Sequence, residues 1–217
     1  MLKLYYYPST AAMIPHIVLE ELGVPYERVW VDRTRDAHKS DAYLRLNPNG
    51  LIPVLIDGDV VLYETAAIVL HLCDTHAQAA LAPPVGSAQR AHFSKWLMWL
   101  ATGLQTTLAN YFYPERWLEP GNVDGQAQLR RHAEARAATM LGQLDHELAQ
   151  HAEPWFLQDR YSALDAYVFT LCRWTRHFLQ EKPARDWQHL GPYLQRVLAR
   201  PAVQRVFAAE QLKPPWV

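Results

Sequence analysis

The stretch HKSDAYLRLNPNGLIPVLIDGDVVLYETAAIVLHL, residues 38–72, decides the fold of this 217-residue chain. Two runs of β-forming residues, 52–56 and 60–63, flank the sequence Asp-Gly-Asp at 57–59. Because Asp-Gly tolerates the positive φ angles of a tight turn, the two runs predict a β-hairpin. Residues 65–72 then carry apolar side chains at helical spacing. The stretch therefore predicts strand, strand and helix.

The residues before this stretch predict alternating strands and helices. The strands are predicted at residues 2–7 and 26–31, and the helices at residues 17–22 and 39–46. Gly23 and Pro25 end the first helix, and the turn-forming sequence Asn-Pro-Asn-Gly at 47–50 ends the second. Residues 1–77 therefore predict a small α/β domain with the element order βαβαββα.

The composition changes after the α/β domain. Residues 78–87 are rich in Ala, Pro and Gly, and Pro83-Pro84 cannot continue a helix, so this segment is predicted to be a linker. Residues 88–217 contain long helical patterns and no convincing strand, and in 129–148 apolar residues recur at i, i+3 and i+4. The second domain is therefore predicted to be all-helical.

The charge and hydropathy of the chain exclude several classes of partner. Lys and Arg number 21 against 22 Asp and Glu, a formal net charge of −1, so no overall basic field attracts nucleic acid or an anionic membrane. No run approaches the roughly 18 apolar residues that a membrane-spanning helix needs. The N-terminus lacks the pattern of a signal peptide. We therefore expect a soluble cytoplasmic protein without a nucleic-acid or membrane partner.

Neither the cysteines nor the histidines predict a reactive or metal-binding centre. Cys73 and Cys172 lie in apolar runs, which favours buried thiols over a disulfide or a nucleophile. His146 and His151 are five positions apart, so on a helix they point roughly 140° apart and cannot share one metal ion. We expect no metal site.

The dipeptide Ile52-Pro53, at the start of the predicted third strand, has two interpretations. Proline lacks the N–H that a strand ladder uses, so Pro53 is an ordinary residue with which to begin a strand. An X–Pro bond also adopts the cis form at modest cost. A cis bond would leave the N–H and C=O of Ile52 facing outward, where an extended peptide could pair with them.

The dipeptide Glu64-Thr65 stands between the hairpin and the following helix. Thr65 is suited to cap that helix, because its oxygen can accept a hydrogen bond from a first-turn N–H. The same N–H groups, with the helix dipole, would bind a carboxylate, and Glu64 beside them would bind an ammonium group. Together these groups fit the head of an α-amino acid. The alternative is helix capping alone.

Hydroxyl groups cluster where the first strand ends and the first helix approaches. Tyr6, Ser9 and Thr10 would donate there to an anionic sulfur or oxygen near the helix N-terminus. The alternative is structural, with Ser9 or Thr10 capping the helix and the tyrosine packing in the core.

Together these features resemble the soluble glutathione transferases over nearly the whole chain. Residues 38–72 are similar to that family's glutathione-binding half in the His-Lys pair, the Asn-Pro-x-Gly turn, the proline before the third strand and the acidic-hydroxyl pair before the third helix. The second domain adds SALDAYVF at 162–169, which resembles the family's internal capping motif, with Ser162 as the cap and Asp165 three residues later. The ending ARPAVQRVFAAE at 199–210 is also similar.

The resemblance implies a thioredoxin-like domain joined to a helical domain, usually in a homodimer, with glutathione as co-substrate. The residues that would contact glutathione are His38, Lys39, Leu51, Ile52, Pro53, Glu64 and Thr65. Its γ-glutamyl head would meet Glu64 and Thr65, and its glycine carboxylate would meet His38 and Lys39.

The resemblance also implies how the middle of glutathione binds. The cysteinyl backbone would pair with Ile52 beside a cis Pro53, which agrees with the strand-like pairing inferred above for that dipeptide. Leu51 stands where a polar or basic residue is common in the family, and this removes one possible side-chain contact.

The group that would activate the thiol is less well matched. In the bacterial classes most similar to this chain, a Cys or Ser follows the tyrosine-proline pattern, and that position is Ala11 here. A free thiol with a pKa of about 8.5 is mostly protonated at pH 7, so a donor must stabilise the thiolate. Tyr6, Ser9 and Thr10 are the candidate donors, aided by backbone N–H groups of the first helix, and the sequence does not choose among them.

The resemblance implies that the second substrate binds where the helical domain faces the turn after the first strand. The candidate pocket residues are Met13, Trp99, Gln105, Tyr111, Tyr113 and Arg116. An apolar pocket beside a thiolate fits attack on a hydrophobic electrophile or reduction of an organic hydroperoxide. For the aromatic residues other than Tyr113, interhelical packing is the alternative interpretation.

We therefore predict a glutathione transferase with a role in detoxification. The alternative is a non-catalytic glutathione-binding or interaction module with the same fold. The missing Ser or Cys at Ala11 favours the alternative, and the nearly complete set of glutathione-binding residues favours the enzyme.

Overall fold

The computed structural model describes residues 1–157 and 160–217, which form two compact units. The first unit contains Met1–Arg90 and Ala199–Lys213, and the second contains Ala91–Leu198 and Pro214–Val217. The first is an α/β unit of the thioredoxin-like type and the second is built mainly of helices. The predicted fold class is therefore confirmed.

A four-stranded sheet forms the centre of the first unit. Its strands are β1 (Leu2–Tyr6), β2 (Tyr26–Trp30), β3 (Val54–Asp57) and β4 (Val60–Leu62). They lie in the order β2-β1-β3-β4, with β1 parallel to β2 and antiparallel to β3, and with β3 antiparallel to β4. The predicted hairpin joins β3 to β4 through Gly58, whose φ of +58° is the left-handed conformation that a tight turn requires.

The helices follow the predicted order. In chain order they are α1 (Met13–Leu22), α2 (Asp41–Leu44), α3 (Thr65–Thr75), α4 (Ala88–Met98), α5 (Gln105–Phe112), α6 (Val123–Ala149), α7 (Ala163–Trp174), α8 (Leu190–Leu198) and α9 (Pro201–Ala209). The elements from β1 to α3 give the predicted sequence βαβαββα. Helix α1 begins at Met13, four residues before the predicted start. Pro15 is compatible with this, because the first N–H groups of a helix have no intrahelical partner.

Alternation along β1 defines the two faces of the sheet. Leu2, Leu4 and Tyr6 are buried on one face, and Lys3 and Tyr5 are partly exposed on the other. The buried face packs against α1. β1 therefore brings its C-terminal end, where the candidate hydroxyls begin, to the start of α1.

The segment 199–213 belongs to the first unit, whereas the sequence placed it in the helical domain. Helix α9 contacts α1. Arg200 Nε lies 2.6 Å from Glu21 Oε1, and Arg205 Nε lies 2.5 Å from Glu20 Oε2. An amphipathic pattern indicates that a helix buries one face, but it does not specify the domain that covers that face. This is why the predicted boundary differs from the observed one.

The second unit is organised around α7, in which residues 163–173 are all buried. Helix α4 continues through a π-helical segment, Trp99–Leu104, into α5. The predicted apolar stripe of α6 is confirmed, since Leu141, Leu144 and Leu148 are buried. Within the described residues, no helix is long and apolar enough to cross a lipid bilayer.

Candidate functional site

A turn over residues 7–12 joins β1 to α1. Ser9 has a φ of +60°, which is uncommon for a residue with a side chain, and its N–H donates to Glu210 Oε2 at 2.9 Å. Thr10 Oγ1 donates to the carbonyl oxygen of Tyr7 at 2.6 Å. The turn is therefore held by its own hydrogen bonds and by a carboxylate just beyond α9.

The three candidate hydroxyl residues have different surroundings. The Thr10 hydroxyl donates within the turn. Tyr6 is buried, with its ring centroid 5.9 Å from that of His16 and 5.7 Å from that of Trp30. Ser9 is partly exposed. Tyr6 packs as the alternative interpretation expects, but the expected capping of α1 by Ser9 or Thr10 is wrong: the N-cap residue is Ala12, and the Thr10 hydroxyl donates to the Tyr7 carbonyl oxygen instead. A role for any of the three hydroxyls in thiol chemistry stays a prediction.

Sequence reasoning missed an ionisable pair beside this turn. His16 Nδ1 lies 2.7 Å from Glu210 Oε1, and both side chains are fully buried. Glu210 therefore contacts His16 with one carboxylate oxygen and the Ser9 N–H with the other. The two residues of the pair are 194 positions apart, so no local pattern links them. The sequence features closest to a signal are a histidine inside the apolar helix α1 and an acidic residue at the end of the last helix, α9.

The Ile52–Pro53 bond is cis, which is the second of the two interpretations of this dipeptide. β3 begins directly after it, at Val54. In the described part of the chain, neither the N–H nor the C=O of Ile52 has a hydrogen-bond partner. These two main-chain groups are therefore available to a ligand. The side chain of Leu51 before them is exposed.

The prediction that Thr65 caps α3 is wrong. Glu64 is the N-cap residue, with φ +70° and ψ 111°, and Thr65 is the first residue of the helix. A side chain caps a helix from the residue outside the first turn, so a buried Thr65 inside that turn does not act as the cap. Among the described residues, no side chain caps α3. Its first-turn N–H groups, next to the exposed Glu64, keep their capacity to bind an anion.

His38 and Lys39 lie in a short 3-10 turn, Ala37–Lys39, beside the loop 47–50. Gly50 has a φ of +59°, and a side chain there would come within 2.8 Å of Lys39 Nζ and 3.0 Å of the His38 carbonyl oxygen. Glycine is therefore favoured by the backbone conformation and by the close approach of the His38 carbonyl oxygen, whereas the flexible end of Lys39 could move aside. The exposed Lys39 brings a positive charge to the loop that leads to Ile52.

The residues predicted to contact the acceptor divide between the two units. Met13 is fully buried at the start of α1. In the second unit, the ring of Trp99 lies 5.2 Å from that of Trp96. Gln105 Oε1 accepts a hydrogen bond from the hydroxyl of Tyr167 at 2.5 Å. Trp99 and Gln105 therefore both make contacts inside the second unit.

The aromatic run at the end of α5 has one buried and one partly exposed tyrosine. Tyr111 is buried, with its ring centroid 5.0 Å from that of Phe178, so it packs between parts of the second unit as the alternative interpretation expects. Tyr113 is the C-cap residue of α5. The guanidinium carbon of Arg116 lies 4.0 Å from the centre of its ring, a cation–π contact that holds a positive charge over this face.

The two cysteines are free and buried, as predicted. Burial raises the pKa of the Cys73 thiol to about 12 and raises the pKa of Cys172 well above its ordinary value. Neither side chain is therefore a thiolate at neutral pH. Among the described residues, no three His, Cys, Asp or Glu side chains are grouped so that they could hold a metal ion.

Comparison with known proteins gives the same assignment from both halves of the chain. The model for the glutathione S-transferase N-terminal domain matches residues 8–75, and that for the glutathione S-transferase C-terminal domain matches residues 126–200. The chain is similar to glutathione S-transferase GstA of Escherichia coli O157:H7, with 30% identity over 98% of this chain and 100% of the relative.

Two solved structures are similar over nearly the full length. One is a glutathione transferase from Methylococcus capsulatus strain Bath, with 31% identity, a TM-score of 0.83 and coverage of 98% of this chain and 100% of that one. The other is a sphingomonad glutathione S-transferase complexed with glutathione, with 28% identity, a TM-score of 0.82 and coverage of 97% and 100%. The chain therefore belongs to the glutathione S-transferase family, whose members are glutathione-dependent enzymes.

Proposed function

We propose that this chain is an enzyme that binds glutathione along its first unit and presents the glutathione thiolate to an acceptor. The observation that carries the proposal is the series of groups between residues 38 and 65. His38 and Lys39 come first, and Ile52 follows, whose main chain has no partner among the residues that the structure describes. Glu64 then precedes α3, which no described side chain caps. These groups match the glycine carboxylate, the cysteinyl backbone and the α-amino acid head of one extended tripeptide.

The head of glutathione is proposed to bind at the start of α3. Its carboxylate would accept from the first-turn N–H groups at Thr65, and its ammonium group would face Glu64. The φ of +70° at Glu64 supports this role. Such a conformation costs on the order of 1–3 kcal/mol, and residues held in it cluster at ligand-binding sites.

The thiolate is proposed to bind at the turn before α1. Ala11 supplies no side-chain donor there. Turning the Thr10 hydroxyl toward a thiolate would break its bond to the Tyr7 carbonyl, and the ring of Tyr6 is packed in the core. The Met13 and Ile14 N–H groups at the start of α1 already donate to the carbonyl oxygens of Thr10 and Ala11. We therefore rank Ser9 first among the donors.

The pH dependence of thiolate ultraviolet absorbance, for glutathione with and without the protein, tests the proposed function. We expect saturable binding and a thiol pKa below the free value of about 8.5, each unit of lowering being worth about 1.36 kcal/mol of thiolate stabilisation. Binding without this lowering would support a second candidate, a non-catalytic glutathione-binding module, which Ala11 favours. An absence of binding would contradict both candidates.

A matched pair of variants, compared in the same titration, tests whether Glu64 binds the γ-glutamyl head of glutathione. Glu64→Gln should weaken binding about tenfold or more, because a hydrogen bond to a charged group contributes about 1.5–3 kcal/mol. Glu153→Gln makes the same change at an exposed residue of the second unit and should leave the affinity unchanged.

We propose that the acceptor is hydrophobic and that the second unit contacts it through Tyr113 and Arg116. Both attack on an electrophile and reduction of a hydroperoxide use the same activated thiolate. Parallel assays with an aromatic halide and an organic hydroperoxide distinguish the two reactions.

The free cysteines suit a reducing compartment, so we place the proposed detoxification role in the cytoplasm.

We also propose that the chain forms a homodimer. The edge strand β4 exposes apolar side chains, with Val60 44%, Val61 42% and Tyr63 just beyond it 37% accessible. An exposed apolar edge strand is a ready surface for a partner. Light scattering should give about twice the chain mass of 25.0 kDa, and Val61→Lys should reduce it to one chain. A monomeric unmodified protein would refute the proposal.

A further inference from the structure

The carbonyl of Leu51 turns into the protein although its side chain is 46% exposed. Its oxygen accepts two hydrogen bonds, one from the Tyr43 hydroxyl at 2.8 Å and one from Asn47 Nδ2 at 2.8 Å. Both donor residues are buried, with 5% and 2% of their surface accessible. Two buried donors therefore fix the orientation of one peptide group in an exposed loop.

This orientation determines where the next N–H points. The Leu51 carbonyl and the Ile52 N–H belong to one peptide unit, which is planar and, unlike the following one, trans. In a trans unit the C=O and the N–H point in opposite directions. Since the carbonyl faces Tyr43 and Asn47, the Ile52 N–H faces away from them. That N–H has no partner in the residues the structure describes.

Both donors are themselves held in place. Asn47 Oδ1 accepts from the Asn49 N–H at 3.0 Å, and its carbonyl oxygen accepts from the Gly50 N–H at 2.9 Å. The ring of Tyr43 belongs to a buried cluster with Val31 and Val54. Neither donor can leave the Leu51 carbonyl without disturbing the turn or this cluster.

The Tyr43 phenol also stays in the donating form. Burial raises its pKa above the ordinary value for tyrosine. It therefore keeps its proton throughout the pH range in which a glutathione thiol ionises, and its hydrogen bond does not change as the bound thiol titrates.

We propose that Tyr43 and Asn47 are positioning residues that aim the Ile52 N–H at the cysteinyl carbonyl of glutathione. The inference rests on the proposed function and adds residues that do not touch the ligand. It predicts that removing either donor weakens glutathione binding, because the Ile52 N–H then no longer points at the cysteinyl carbonyl oxygen.

Calorimetric titration with two ligands tests this proposal. Tyr43→Phe should weaken glutathione binding about fivefold, the contribution of one neutral hydrogen bond. With a glutathione analogue whose cysteinyl–glycine amide is replaced by an E-alkene, the acceptor oxygen is absent, so Tyr43→Phe and the unmodified protein should bind equally. An equal loss with both ligands would overturn the proposal.

A matched substitution separates positioning from general loss of stability. Tyr26→Phe also removes a tyrosine hydrogen bond in the first unit, from its hydroxyl to Glu20 Oε1 at 2.5 Å, and should not change the affinity for either ligand. Asn47→Asp removes the other donor and should reproduce the ligand-specific loss if Tyr43→Phe does not fold. Unchanged glutathione binding in both variants would refute the positioning role, whereas failure of the unmodified protein to bind would refute the proposed function instead.

Discussion

Replacing Asp165 with alanine should lower the free energy of unfolding by roughly 3 to 5 kcal/mol. Its carboxylate is fully buried and accepts from the Phe156 N–H at 2.9 Å, the Tyr193 hydroxyl at 2.9 Å, and the N–H and hydroxyl of Ser162 at 2.7 and 3.1 Å. Alanine would leave these donors unpaired in the interior, and each unsatisfied buried group costs about 1–3 kcal/mol. The effect is large because α7 is the central helix of the second unit.

Urea unfolding followed by circular dichroism measures this loss. Asp124→Ala is the matched control, since Asp124 is also an acidic residue in the first turn of a helix but is exposed. Its loss should stay below about 1 kcal/mol, the contribution of a helix-dipole interaction at the surface. If Asp165→Ala and Asp124→Ala lowered the free energy of unfolding equally, Asp165 would contribute no more than a surface charge interacting with the helix dipole.

The same residue shows how far a sequence pattern reaches. The pairing of Ser162 with Asp165 was predictable because a capping box is a local motif with a fixed spacing, and the structure forms it. The contacts with Phe156 and Tyr193 were not predictable, because they depend on how a preceding segment and α8 pack on the start of α7. The hydrogen bonds within this capping box were readable from sequence, and the partners brought by packing were not.

Residues 38–72 show the same division. The order of strands and helices along the chain, the hairpin and the turn at Gly50 followed from residue types and spacing. The capping assignment at Thr65 failed because Glu64 adopts a positive φ, which nothing in an acidic side chain predicts. The inward turn of the Leu51 carbonyl depends on two side chains, Tyr43 and Asn47, whose positions are fixed only once α2 and the following loop pack together.

Replacing Glu210 with alanine should lower the free energy of unfolding by a comparable amount, roughly 3 to 5 kcal/mol. Glu210 and His16 are both fully buried, 2.7 Å apart, so the variant leaves a buried imidazole without its partner. It also removes the acceptor for the Ser9 N–H. The turn before α1 would then lose this hydrogen bond to the segment after α9.

A functional consequence should accompany this loss of stability. The Ser9 turn carries the groups that we propose hold the thiolate, so at a temperature where Glu210→Ala remains folded its bound glutathione should show a smaller lowering of the thiol pKa than in the unmodified protein. Glu210→Gln keeps an acceptor oxygen for the Ser9 N–H and should retain more of that lowering. Glu27→Ala is the control, because it breaks an exposed ion pair elsewhere in the first unit, between Glu27 Oε2 and Lys3 Nζ, and such pairs contribute little to stability. If Glu210→Ala lost stability but kept the full lowering of the thiol pKa, the buried pair would stabilise the first unit without shaping the thiol site, and the thiolate donors would have to be sought outside this turn.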